Sequence, residues 1–214
     1  MNLLAILLVV LCGLFTGLLL WAERKGLPRL KWAAKPAASL CFVLLAAASG
    51  ATESAYGIWI LAALVLCMAG DVFLIPVGEK TFLAGMAAFA AGHAAYIGAF
   101  LSGGPEATPV LYMAAAGMAL FAVFSLLWLW PHLGAFRGPV AGYTVIIAAM
   151  VAASFLAEPP GRAAPSLLVI AGAVGFAISD LSVARDKFVA PDFFNRAWGL
   201  PLYYTAQLLL AASV

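Results

Sequence analysis

The chain has 214 residues, 66% of them hydrophobic and 9% charged, with a mean hydropathy of +1.09. A soluble domain carries about 25% charged residues, so this chain cannot cover a water-facing surface and belongs in a bilayer. The polar residues are too few for a separate soluble domain, and the net charge of +2 carries no nucleic-acid signature, since no basic stripe with interleaved aromatics occurs.

A membrane span needs about 20 apolar residues. On that rule residues 1–214 form a single integral membrane domain, with helices near 2–22, 33–50, 56–74, 81–101, 109–130, 138–157, 165–184 and 196–213. The expected fold is all-α: a polytopic bundle of eight transmembrane helices. The first segment, MNLLAILLVVLCGLFTGLLLW, lacks a basic n-region and a small-residue cleavage site. It reads as a retained helix and not a signal peptide. Proline and glycine punctuate the gaps at Pro28, Pro76 with Gly78, Gly103-Gly104-Pro105, Pro131, Pro159-Pro160-Gly161 and Pro191. Cys12, Cys41 and Cys67 each lie in an apolar run without a CxxC pattern, which reads as packing.

Basic residues set the expected orientation. The loops after helices 1, 3, 5 and 7 hold Arg24, Lys25, Arg29, Lys31, Lys80, Arg137, Arg185, Lys187 and Arg196. The opposite loops hold Arg162, a bias of nine to one. The odd-numbered loops should face the cytoplasm and both termini should face outward. Trp21, Trp32, Trp59, Trp128, Trp130 and Trp198 fall near predicted helix ends, as an interfacial aromatic belt requires.

Polar residues within the spans are few, and an ionisable group there is by default a functional-site hypothesis. Asp71 ends helix 3 in AGDVF and Asp180 ends helix 7 in ISDLS. At 1.5 Å per residue, Asp71 should lie roughly 13 Å above Lys80 and Asp180 roughly 8 Å above Arg185. Lys35 should begin helix 2 on the same side. His93 and Tyr96 lie i, i+3 on helix 4, and Tyr203, Tyr204 and Gln207 give helix 8 a polar face. These groups should converge on the inner third of the bilayer. Asp71, His93 and Tyr96 on helices 3–4 are echoed by Asp180, Tyr203, Tyr204 and Gln207 on helices 7–8. A four-helix unit duplicated in parallel would produce such an echo.

Plainer roles exist for each residue. The aspartates could pair with loop bases, although the dipole at a helix C-terminus opposes a negative charge. Lys35 could snorkel. His93 could be a hydrogen-bonded core residue, and without further ligands at recognisable spacing it does not make a zinc site. The helix 8 residues could be interhelical glue. Asn195 and Arg196 could cap helix 8, Ser179 could bond back to its own helix, and His132 is expected to be solvated beside Pro131. GxSxG, Walker, GxGxxG and HExxH motifs are absent from the sequence.

Taken in order, Lys35-Pro36, Gly70-Asp71, Phe82 with Gly85, His93 with Tyr96, Ser179-Asp180 and Tyr203-Tyr204 with Gln207 resemble the motifs of the lysoplasmalogenase family. The resemblance runs from about residue 30 to 210. It implies an eight-helix hydrolase of bacterial or animal membranes that cleaves the vinyl ether bond of lysoplasmalogens. The products would be a fatty aldehyde and a glycerophospho-base. It also implies no cofactor, a single-chain lipid substrate, and an acid–base pair at Asp71 and Asp180. In a bacterium the location would be the inner (cell) membrane.

The chemistry suits the residues. A vinyl ether hydrolyses through protonation of its β-carbon, giving an oxocarbenium ion to which water adds. Glycosidases meet a similar demand with two carboxylates, and two carboxylates in unlike surroundings can divide into donor and base. His93, Tyr96, Tyr203, Tyr204 and Gln207 would then position water or substrate, and Lys35 or a loop base would meet the phosphate. The rival class is a small proton-coupled transporter using the intramembrane Asp and His residues. A carrier needs its polar groups near mid-membrane with access from both sides. A third reading has the polar groups serving only to hold helices together.

Overall fold

A computed structural model describes residues 3–159 and 166–214. Pro160, Gly161, Arg162 and the predicted helix starts at Asn2 and Pro165 lie outside the described residues. The chain forms α1 (Leu3–Lys25), α2 (Pro28–Ala48), α3 (Ala55–Phe73), α4 (Glu79–Leu101), α5 (Pro109–Leu129), α6 (Arg137–Ser154), α7 (Leu167–Ala184) and α8 (Phe193–Ala211). Among the described residues there is no strand. The protein is an integral membrane protein: α1 to α7 are each long and apolar enough to cross a bilayer. The eighth helix, α8, carries Asn195, Arg196, Tyr203, Tyr204 and Gln207 and falls below that apolarity.

The largest departure from expectation is α2. It starts at Pro28, not near 33, because proline is tolerated in the first turn, where its missing N–H would be unpaired anyway. Lys35-Pro36 therefore does not open the helix. Lys35 lies about 10 Å along it, and Pro36 sits inside it. That extra depth carries Lys35 past the interface, and it is 7% exposed. α8 likewise starts early, at Phe193, because the Asp192 side chain accepts the Phe194 N–H at 2.9 Å. Asn195 and Arg196 thus do not cap it. α6 stops at Ser154, short of the expected 157. A five-residue π turn, Arg185–Val189, follows α7.

Neighbouring pairs α1–α2, α2–α3, α3–α4, α4–α6, α6–α7, α7–α8 and α8–α1 close a ring. α8 also reaches α2 and α3, so the least apolar helix is the most sheltered. α5 packs outside the ring on α6, and Leu129 is its buried residue. The pairs α1–α2, α2–α3, α3–α4 and α4–α6 map onto α5–α6, α6–α7, α7–α8 and α8–α2. A duplicated four-helix unit would give this correspondence.

Lipid tails are as apolar as leucine, so burial alone does not join these helices. Close packing and interhelical hydrogen bonds do. Gly92 lets α4 lie against α3: a Cβ there would stand 2.8 Å from the Cys67 sulfur and 3.3 Å from the Ala63 carbonyl oxygen. Gly172 does the same for α7 against α8, where a Cβ would meet Leu210 at 2.7 Å and the Ala206 carbonyl at 3.1 Å. Between α4 and α7 the gap is filled by rings. The fully buried Phe176 packs against Phe89 (6.0 Å between centroids), His93 (4.4 Å), Tyr96 (6.4 Å) and Tyr203 (5.4 Å).

Candidate active site

A cavity of about 520 Å³ opens among these helices. Its mouth is at the face of the α1–α2, α3–α4 and α7–α8 connections, where Glu23, Lys31, Pro76, Gly78, Asp186 and Lys187 line it. Its walls include the apolar side chains of Met86, Phe89, Phe121, Leu129 and Ile147, from α4, α5 and α6. Inside, the polar lining includes Lys35, Asp71, Tyr143, Asp180 and Tyr203.

The two aspartates stand in unlike surroundings. Asp71, 2% exposed, is met from three sides. Its Oδ2 accepts from Ser39 Oγ at 2.6 Å and from Tyr203 OH at 2.7 Å, and its Oδ1 lies 3.2 Å from Lys35 Nζ. One ammonium and two hydroxyls, all donors, are the contact set of a carboxylate anion. The geometry follows from the sequence: Ser39 lies one turn beyond Lys35, on the same helix face. Tyr204 OH donates to the Lys35 carbonyl at 3.3 Å and ties α8 to this turn of α2.

Asp180 is more open, with its side chain 16% exposed against 3% for Asp71. One oxygen, Oδ2, takes Tyr143 OH at 3.0 Å and faces His93 Nε2 at 3.3 Å. The His93 nitrogen also lies 3.2 Å from Tyr143 OH, so the three groups close a triangle. His93 is wholly buried, and its Nδ1 has no hydrogen-bond partner among the described residues. With Nε2 facing a carboxylate and a phenol, the tautomer that fits is Nε2–H. Phe176 touches both His93 and Tyr203, so one ring separates the Asp180 group from the Asp71 group.

The sequence-derived residues therefore divide. Lys35, Asp71, Asp180 and Tyr203 line the cavity. His93 and Tyr204 stand behind the lining, on Asp180 and on the Lys35 backbone. Tyr96 and Gln207 bond each other at 2.6 Å, both fully buried and away from the cavity lining. This interhelical bond joins α4 to α8. Tyr96→Phe should leave kcat within about twofold while costing about 1 kcal/mol of stability, read by turnover and by thermal unfolding in detergent. A tenfold loss of kcat at unchanged stability would place Tyr96 in the chemistry instead.

Two residues of the site were missed by sequence reasoning: Ser39, buried behind Asp71 at i+4 from Lys35, and Tyr143, a lining residue and the lone tyrosine of α6. A helical-face reading from Lys35 would have found the first. His132 is exposed, as expected, and Ser179 Oγ bonds back to the Phe176 carbonyl at 2.7 Å. Asn195 and Arg196 belong to a network at the mouth. Arg196 bridges Glu23 at 2.9 Å and Asp186 at 3.0 Å. Asn195, 1% exposed, accepts from Arg185 and donates to the Ala190 carbonyl at 2.7 Å. Lys31 pairs with Glu23 at 2.8 Å.

The YhhN family model matches residues 30–214. A lysoplasmalogenase of Mycobacterium tuberculosis (strain CDC 1551 / Oshkosh) is 33% identical over 183 residues, 82% of this chain and 67% of that protein. Lysoplasmalogenase TMEM86A of Bos taurus is 34% identical over 154 residues, 70% of this chain and 62% of its own length. Lysoplasmalogenase TMEM86B of Rattus norvegicus is 32% identical over 208 residues, 96% of this chain and 81% of its own. No solved structure matches. The match covers every helix from α2 to α8, and with it the cavity and both aspartates: the chain belongs to the YhhN family, the family of the lysoplasmalogenases.

Proposed function

We propose that this protein is a hydrolase of the lysoplasmalogenase type, cleaving the vinyl ether bond of a single-chain glycerophospholipid to a fatty aldehyde and a glycerophospho-base. The observation that carries this reading is the pair of unlike aspartates on one cavity with an apolar wall and a charged mouth. Asp180 is the proton donor. Its Oδ2 is held by Tyr143 and His93, which leaves Oδ1 to carry a proton into the cavity. That proton goes to the β-carbon of the vinyl ether, and the electron pair of the double bond forms the new C–H bond. The resulting oxocarbenium ion is steadied by the Asp71 carboxylate.

Water then adds to the cationic carbon, and its surplus proton passes to a carboxylate. Collapse of the hemiacetal transfers the hydroxyl proton to the departing glycerol oxygen, so one water is consumed and the acid is restored. Lys35, Ser39 and Tyr203 fix the orientation of Asp71, and Tyr143 and His93 fix that of Asp180. The alkenyl chain lies against Met86, Phe89, Phe121 and Ile147. The nine-to-one bias of basic residues supports a mouth on the cytoplasmic side, outward-facing termini and, in a bacterial host, the inner membrane. A carrier needs access from both faces, whereas this cavity has its charged mouth on one.

Purified protein should release fatty aldehyde from a lysoplasmalogen and leave the 1-alkyl analogue intact. In D2O, with the aldehyde reduced to the alcohol as it forms, the product should carry one deuterium on the carbon next to the one that was the carbonyl. Folded protein that yields no aldehyde would remove the assignment, and aldehyde without that deuterium would remove the protonation step.

A further inference from the structure

Four cations line the cavity: Lys31, Lys35, Arg196 and Lys187. Three are already held by carboxylates. Lys31 pairs with Glu23 at 2.8 Å, Lys35 with Asp71 at 3.2 Å, and Arg196 with both Glu23 and Asp186. Lys187 is exposed at the mouth and has no carboxylate within ion-pair distance among the described residues. Its ammonium lies 4.8 Å from the centre of the Phe82 ring.

That position is built. Lys187 belongs to the π turn, an element rare in proteins and frequent at functional sites. The next residue, Phe188, anchors the turn, edge-on against Phe82 (5.7 Å) and tilted against Phe136 (5.4 Å). The aromatic platform holds the ammonium in place while its three donors stay available, since a ring face accepts charge without occupying N–H groups in ordinary hydrogen bonds. The carboxylates of the mouth, Glu23 and Asp186, spend their charge on Arg196 and Lys31. The free charge on the rim is therefore positive, at the end of the cavity away from the apolar wall.

We propose that Lys187 binds the phosphate of the lipid substrate and makes the site selective for phosphate-bearing single-chain lipids over neutral alkenyl glycerols. The inference rests on the lipid-hydrolase reading of the cavity. It is separable from that reading, because binding can be followed with lipids that are not cleaved.

The test uses the full chain in detergent with two uncleavable probes, a 1-alkyl-glycerophosphoethanolamine and the matching 1-alkylglycerol. The wild type should bind the phospholipid about tenfold more tightly, equivalent to about 1.4 kcal/mol. Lys187→Gln should remove that preference while leaving 1-alkylglycerol binding unchanged, which also shows that the variant is folded. Lys187→Arg should restore most of the preference. Equal binding of both probes by the wild type overturns the proposal, as does a preference that survives in Lys187→Gln. A failure of aldehyde release overturns the hydrolase reading alone and leaves these binding results to stand or fall by themselves.

Discussion

Asp180→Asn should lower the kcat for aldehyde release by about 10³-fold or more, with substrate affinity little changed. A positioned general acid is worth about 10²–10⁴-fold in ordinary proton transfers. Protonation at carbon leans harder on the donor, because the accepting carbon has no lone pair and must use the electrons of the double bond. The amide is isosteric, and its oxygen can still accept from Tyr143 and His93, so the α6–α7 contact and the fold should survive. Its neutral NH₂ cannot deliver a proton. Turnover measured beside a thermal unfolding curve decides the point: activity within tenfold of wild type, in a protein that melts normally, would take Asp180 out of the acid role. Tyr143→Phe should fall between, since it removes one of the two donors that aim Asp180 but not the acid itself.

Lys35→Met should destabilise the protein by about 3–5 kcal/mol, the penalty for leaving a buried carboxylate without its counter-charge. Lys35 and Asp71 are 7% and 2% exposed, so water in the cavity replaces the lost partner only in part. Adding Asp71→Asn to Lys35→Met should recover most of that loss, because the remaining groups are neutral and Ser39 and Tyr203 keep an acceptor. The double variant should still be inactive, because the carboxylate that steadies the cation at position 71 is gone. Unfolding free energies for the two single variants and the double variant form a cycle that isolates the pair. Additive effects would mean that Lys35 and Asp71 do not depend on each other. A stable and active double variant would mean that the pair serves the fold and not the reaction.

The sequence made the helices legible because the bilayer removes the alternatives: a run of apolar residues that must satisfy its own backbone can only be helical. It was misleading at α2, where Pro28 looked like a boundary and is the first residue of the helix. That displacement mattered for the site, since it changes Lys35 from an interfacial group into a buried partner of Asp71. The aspartates and the histidine were legible because charge is conspicuous against alanine and leucine, and Tyr203 because it shares a polar helix face with Tyr204 and Gln207. Ser39 and Tyr143 were not, because serine and tyrosine in a span are commonplace and only the crossing of α2 with α3, and of α6 with α7, gives them a carboxylate to serve. Tyr96 and Gln207 carried the same signal as the site residues, yet they bond each other. One-dimensional spacing cannot say which neighbour a polar side chain has across a helix interface.

The sheltered position of α8 bears on how the molecule is made. Ribosomes deliver helices in order, so α1 to α7 reach the bilayer while Asp71 still lacks the Tyr203 hydroxyl and Glu23 lacks Arg196. The helix that completes both is the one least able to hold itself in lipid, and it must be captured by α1, α2, α3 and α7 instead. A chain that stops short of α8 thus holds both aspartates, but lacks the hydroxyl that orients one of them and the guanidinium that ties up the mouth. Capture of α8 is the event that both finishes the bundle and completes the set of donors around Asp71.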